Sequence, residues 1–169
     1  MKPLFIVAGA SGTGKSTLVR NAGLRRAVSY TTRPMRPGEV DGVDYRFVTR
    51  EQFNRTAMCE VTSYCGHLYG TGEAELAQSD VIICDVPGIQ HFLDICARNG
   101  RPCYVIGLYA DDKVGLRARL LRRGDDPASV ERRLIHDQEA YQNLQAYCDA
   151  YICTDQELPV GIFTTIQKE

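Results

Sequence analysis

Residues 4–16 read Leu4-Phe5-Ile6-Val7-Ala8-Gly9-Ala10-Ser11-Gly12-Thr13-Gly14-Lys15-Ser16, and this stretch decides the fold. The apolar run Leu4 to Ala8 has no polar alternation, as a strand buried on both faces of a parallel sheet requires. Gly9 to Ser16 then satisfies the spacing GxxxxGK[ST] at every required position, between that strand and a helix expected from Lys15 to about Arg26. Glycines at these positions let successive backbone N–H groups turn inward around a triphosphate, and the helix start adds its positive end. Lys15 can reach the outer phosphates, and the Ser16 hydroxyl can ligate Mg²⁺. Ala10, Ser11, Gly12, Thr13, Gly14, Lys15, Ser16 and Thr17 are therefore the candidate triphosphate-binding residues. The motif does not fix the reaction, because GTPases, ATPases and small-molecule kinases share it.

Outward from this loop, apolar runs recur at Val81 to Cys84 and Tyr104 to Tyr109, and more weakly at Tyr151 to Cys153. Helix-like stretches lie between and after them, at Pro87 to Arg98, Lys113 to Arg123, Ser129 to Tyr147 and Pro159 to Gln167, with Pro87 and Pro159 suited to first-turn positions. Strands alternating with helices predict an α/β fold around a parallel sheet. Residues 29–80 break the rhythm with the short segments Tyr45 to Val48 and Glu60 to Tyr64 and a loop at Gly66, while Thr49 with Gln52 can cap a brief helix between them. This stretch reads as a small inserted β-rich subdomain. Arg122-Arg123-Gly124-Asp125-Asp126-Pro127 separates two amphipathic helices and has the charge and glycine of a lid. The expectation is one domain over 1–169, with a core of 1–28 and 81–169, an insertion at about 29–80 and a lid at about 119–133.

The 20 Lys and Arg nearly cancel the 21 Asp and Glu, so no global field draws the chain to nucleic acid or to an anionic membrane. Anions must be held locally. Only Lys2, Lys15, Lys113 and Lys168 are lysine and the other basic residues are arginine, whose planar fork suits phosphate. The seven cysteines (Cys59, Cys65, Cys84, Cys96, Cys103, Cys148, Cys153) form no CxxC pair and read as buried thiols of a reducing compartment. The apolar stretch after Met1-Lys2-Pro3 is too short for a signal peptide, and no run approaches the roughly 18 apolar residues of a membrane span. A cytoplasmic protein is expected, as a monomer or homodimer. His67, His91 and His136 have no ligand spacing.

Ser29-Tyr30-Thr31-Thr32-Arg33-Pro34-Met35-Arg36-Pro37-Gly38-Glu39 is followed by Asp41-Gly42-Val43-Asp44-Tyr45-Arg46-Phe47. Two arginines three apart in a proline-stiffened loop can converge on one phosphate, and a tyrosine hydroxyl can complete its shell. Glu60 precedes Tyr69-Gly70-Thr71. A carboxylate accepts from guanine N1–H and the 2-amino group together, and a Thr hydroxyl can donate to O6, whereas adenine would leave the carboxylate unpaired. This set suits a guanine monophosphate.

With the phosphate loop, the S-x-T-T-R-x-x-R-x-G-E-x-x-G-x-D-Y run, the E…YG[ST] segment and the R-L…RG…RRL region in this order, the chain resembles the guanylate kinase family over nearly its whole length. The resemblance implies a three-layer P-loop kinase fold and γ-phosphoryl transfer from ATP to GMP or dGMP with Mg²⁺. Through it, Arg33, Arg36, Tyr45 and Tyr69 match the positions that hold the GMP phosphate. Ser29, Glu60, Thr71 and Asp85 match those around the guanine, and Glu39 matches a residue that supports the phosphate-binding loop. Asp85, at the end of an apolar strand, is also a candidate for the metal shell with Ser16. Lys15, Arg119, Arg123 and Arg133 are the candidate catalytic residues, the arginines meeting the transferring group from the lid. Ile83 stands where the family commonly has a second acid, and Thr154 where it usually has the Asn of an Asn-Asp pair against the adenine. Two alternatives stay open at this point. One is the related ribose 1,5-bisphosphate kinase, which matches the Arg-Pro to Asp-Tyr stretch poorly. The other is a non-catalytic guanylate-kinase-like binding module, which typically lacks the P-loop lysine.

Overall fold

The structure is a computed structural model that describes residues 1–64 and 66–166; Cys65, expected as a buried thiol, and Gln167, expected to close the last helix, lie outside the described residues. In chain order the elements are β1 (Leu4–Gly9), α1 (Lys15–Asn21), β2 (Tyr30–Thr31), β3 (Arg46–Phe47), α2 (Arg50–Arg55), β4 (Met58–Tyr64), β5 (His67–Gly72), α3 (Glu73–Gln78), β6 (Val81–Cys84), α4 (Val86–Arg98), β7 (Cys103–Tyr109), α5 (Lys113–Arg122), α6 (Pro127–Ala140), a 3₁₀ turn (Leu144–Tyr147), β8 (Ala150–Cys153) and α7 (Ile162–Thr165). They form two compact units, one of Met1–Leu24 with Ile83–Glu169 and one of Arg25–Ile82.

The first unit is built on a parallel sheet in the order β6-β1-β7-β8. β1 runs beside β7 in register from Leu4 opposite Cys103 to Gly9 opposite Leu108. Every residue of β1 is buried, which accounts for its unbroken apolar sequence. α1 and α4 pack on β1, and Leu18, Ile89, Phe92, Ile106, Leu108 and Leu120 are fully buried in this unit. Each such side chain contributes roughly 1.5–3 kcal/mol by leaving water.

Three helix expectations are corrected here. α1 stops at Asn21 rather than near Arg26, because Gly23 at φ 66° turns the chain and returns its N–H to the Arg20 carbonyl at 3.1 Å. The long helix expected from Ser129 to Tyr147 begins at Pro127, capped by Asp126, and ends at Ala140. Beyond it Leu144 is buried and Asp149 accepts from the Val105 N–H at 2.7 Å, so the chain tightens into the 3₁₀ turn and enters β8 beside β7. The last helix begins at Ile162 instead of Pro159; the Pro159 carbonyl only receives the Ile162 N–H, at 3.0 Å, in the turn before it.

The second unit holds the β-rich insertion, a sheet in the order β3-β2-β5-β4. β2 pairs parallel with β3 and antiparallel with β5, which pairs antiparallel with β4. The Thr49/Gln52 capping box opens α2 as its sequence indicates. β2, β5 and α3 are additional elements that the sequence pattern does not announce. Of the described cysteines Cys96 is buried and Cys59, Cys84, Cys103, Cys148 and Cys153 are half-buried, and none of these forms a disulfide among the described residues. No helix among the described residues is long and apolar enough to cross a membrane.

Candidate active site

The phosphate loop leaves β1 at its carboxyl end. A Cβ at Gly9 would lie 2.2 Å from the Leu108 carbonyl oxygen of β7, so only glycine lets the strand end this close to its neighbour. Gly14, at φ 87°, opens α1 in the left-handed region that makes the backbone N–H groups converge. Thr13 is buried and donates its hydroxyl to the Ala10 carbonyl at 2.8 Å, bracing the loop from inside. Ser16 and Thr17 occupy the first turn of α1.

Lys15 is half-buried as a residue, but its ammonium is tucked under the loop, donating to the Gly9 and Ala10 carbonyls at 2.6 and 2.8 Å. Burial pulls its pKa down to about 8; the Asp137 carboxylate opposes that fall and the Arg123 guanidinium adds to it. Arg123, at the C-terminal cap of α5, thus lies within the field of the phosphate-loop lysine. Arg119 and Arg133 face acids: Arg119 lies 3.7 Å from Asp155, and Arg133 lies 3.4 Å from Asp125. The Arg119 Nε is buried without a hydrogen-bond partner among the described residues.

Asp85 caps α4, its Oδ1 accepting the Gly88 N–H at 3.0 Å. Ile83 and Cys84 precede it in β6 and present no carboxylate. Thr154 is buried, and both its N–H and its hydroxyl donate to the Tyr109 carbonyl, each at 2.9 Å. The Thr154 side chain is therefore occupied in tying the end of β8 to β7.

In the second unit two groups of predicted residues come together. Arg33 lies almost wholly inside, forked onto Glu39 with Nη1–Oε2 at 2.9 Å and Nη2–Oε1 at 2.7 Å. Glu39 also accepts the Arg36 backbone N–H at 2.8 Å, so one carboxylate organises both arginines of the loop. Burial would raise the Glu39 carboxyl, but the Arg33 and Arg36 hydrogen bonds and the guanidinium charges outweigh it and hold the carboxyl below its ordinary value. The Arg33 guanidinium sits 5.5 Å from the Tyr45 ring centroid, and the Tyr69 ring lies 5.8 Å from that of Tyr45. The second group is Ser29, Glu60 and Thr71. Glu60 of β4 stands directly opposite Thr71 of β5, and the Ser29 and Thr71 hydroxyls are 3.3 Å apart. Thr71 is 1% exposed. Asp85 belongs to the other unit.

Asp137 is the residue that sequence reasoning passed over. It lies on α6, is 6% exposed and accepts the Ser11 N–H of the phosphate loop at 2.6 Å. The signal available was its place four residues after Arg133, on the same helix face.

The guanylate kinase family model matches residues 1–157. A guanylate kinase of Thermus thermophilus is 36% identical over an alignment covering 94% of this chain and 76% of its own. One from Acinetobacter baylyi is 36% identical with 83% and 75% covered, and one from Neisseria gonorrhoeae is 41% identical with 78% and 70% covered. Among solved structures, a guanylate kinase from Anaplasma phagocytophilum superposes with a TM-score of 0.69 at 23% identity, over 98% of this chain and 81% of its own, and so has the same fold.

Proposed function

The chain belongs to the guanylate kinase family and is a nucleoside monophosphate kinase, and from that premise we propose how its residues carry the γ-phosphoryl group of ATP to GMP or dGMP. The loop Ala10 to Thr17 surrounds the ATP phosphates, its N–H groups beyond Ser11 donating to them, and Lys15 leaves its two carbonyls to meet the outer phosphates. Arg33, Arg36, Tyr45 and Tyr69 hold the GMP phosphate, with Glu39 orienting the arginines. Glu60 takes the guanine N1–H and 2-amino group, Thr71 donates to O6 and Ser29 supports Thr71. Arg119, Arg123 and Arg133 neutralise charge on the transferring group. No general base is required, because a GMP phosphate oxygen is already an anionic nucleophile, so positioning and charge carry the step.

Mg²⁺, as Mg·ATP, fits the donor set of Ser16 and Asp85: a hydroxyl and a carboxylate are hard oxygen ligands, and Asp85 keeps Oδ2 while Oδ1 caps α4. Held by these two residues, the ion would supply charge neutralisation to the phosphates. Ile83, an apolar side chain, supplies no ligand. The same reading places the reaction in the cytoplasm, with ATP and GMP as partners of a monomer or homodimer.

The observation that carries the acceptor assignment is Glu60 opposite Thr71 with Ser29 beside it. Its test is the Glu60→Gln variant assayed with GMP and AMP. Removing a charged hydrogen-bond partner is worth about 1.5–3 kcal/mol, so kcat/KM for GMP falls roughly 10- to 150-fold while the poor rate with AMP does not fall with it. A Gln variant that keeps the GMP rate would sink the assignment.

A further inference from the structure

We propose that Asp137 is a positioning residue for the transfer: its carboxylate ties α6 to the phosphate loop at Ser11 and so holds Arg133 in register with that loop. This rests on the reading of Arg133 as an arginine of the reaction. A carboxylate that is 6% exposed requires partners, and Asp137 finds one in the Ser11 N–H at 2.6 Å, across 126 residues of sequence. The distance is that of a charge-assisted bond. The donor belongs to a loop whose N–H groups serve anions, so a protein anion there links two pieces of the machinery.

Helix geometry carries the link to Arg133. Residues four apart lie on one face about 6 Å along the axis, so pinning Asp137 fixes Arg133 within roughly one turn. At its other end that face is held by Arg133 itself, 3.4 Å from Asp125 just ahead of the helix cap Asp126. The second Asp137 oxygen lies 3.5 Å from His136 Nδ1. An opposing account makes Asp137 a stand-in for a phosphate oxygen that ATP must displace. A stand-in would take the Lys15 ammonium as well, whereas Lys15 donates to the Gly9 and Ala10 carbonyls.

The test is a double-mutant cycle on the full chain with Asp137→Ala, Asp137→Asn, Arg133→Ala and Asp137→Ala combined with Arg133→Ala, reading kcat, both KM values and the thermal midpoint. Asp137→Ala is expected to lower kcat about tenfold or more with KM for ATP and GMP changed less than about twofold, since the lost interaction acts on the transition state. Asp137→Asn, whose carbonyl can still accept from Ser11, is expected to recover most of that rate. In the Arg133→Ala background the Asp137→Ala change should cost nothing further. Losses that multiply would overturn the proposal, as would a lower KM for ATP at unchanged kcat or a shift in thermal midpoint alone. Full kcat in Arg133→Ala would instead remove the premise about Arg133, and the tether's purpose with it.

Discussion

Replacing Glu39 by Gln tests the acceptor loop at its hinge. The Arg33 and Glu39 side chains are 8% and 13% exposed, and the carboxylate receives both Arg33 terminal nitrogens and the Arg36 N–H. Gln has one carbonyl for these three donors, and its amide group would point N–H at a guanidinium. Breaking a buried pair while leaving the other charge in place costs about 3–5 kcal/mol; Glu39 keeps some surface, so the lower end, near 3 kcal/mol, applies. For a chain of this length that lowers the thermal midpoint by roughly 6–12 °C. The pH dependence has a definite sign. The folded Glu39 carboxyl is held below its ordinary value, so its contribution is complete above about pH 4.3 and is lost as pH falls through the folded value. The assay is urea unfolding of both proteins from pH 7 down to about pH 3.5, with KM for GMP measured at pH 7. The gap between the proteins should be widest at neutral pH and close toward the acid end, and KM for GMP should rise in the variant as Arg33 loses its anchor. Equal midpoints at pH 7, or a gap that grows on acidification, would show that the Glu39 carboxylate does not anchor the loop.

The Lys15 ammonium, with a pKa of about 8 in the free protein, should lose its proton as pH rises through that value, so kcat/KM for ATP should decline above about pH 8. Steady-state rates from pH 6 to 10 check this, and a profile flat to pH 10 would contradict it. Phe92→Ala, at a fully buried site on α4, should cost about 3–5 kcal/mol in urea unfolding and leave KM for GMP unchanged in the folded fraction. Thr154→Val removes a hydroxyl bonded to the Tyr109 carbonyl and should cost about 1–2 kcal/mol of stability, with KM for ATP held within about twofold because that hydroxyl is already engaged. A large rise in KM for ATP in this variant would assign Thr154 to the donor base.

What could be read from sequence follows the range of the forces involved. β1 was legible because a strand covered on both faces carries an unbroken apolar run, and the loop after it because close backbone packing and phosphate chemistry both impose glycine at fixed spacing. The α2 cap was legible because both partners lie within one turn. β5 was hidden: His67-Leu68-Tyr69-Gly70-Thr71-Gly72 has two glycines and no clean alternation. At Gly70 a Cβ would lie 2.8 Å from the Glu60 carbonyl and 2.9 Å from the Phe53 ring, so tertiary packing places a strand breaker in a strand. The end of α6 is not legible in the sequence because amphipathic spacing continues past Ala140, whereas the turn is set by β8 aligning with β7. Glu60 and Thr71 could be named from base chemistry, but that they face each other is a matter of strand register across a bulge near Met58. Asp137 depends on a partner 126 residues away, a distance at which no local pattern operates.

Phosphoryl transfer to a guanine nucleotide is tested by following product formation from Mg·ATP with GMP, dGMP, AMP, CMP, UMP and ribose 1,5-bisphosphate in turn, with Lys15→Ala as the blank. Equimolar ADP and GDP, or ADP and dGDP, are expected from the guanine nucleotides alone, and none from the blank. No turnover with GMP or dGMP, or turnover on the ribose phosphate in their place, would contradict such transfer.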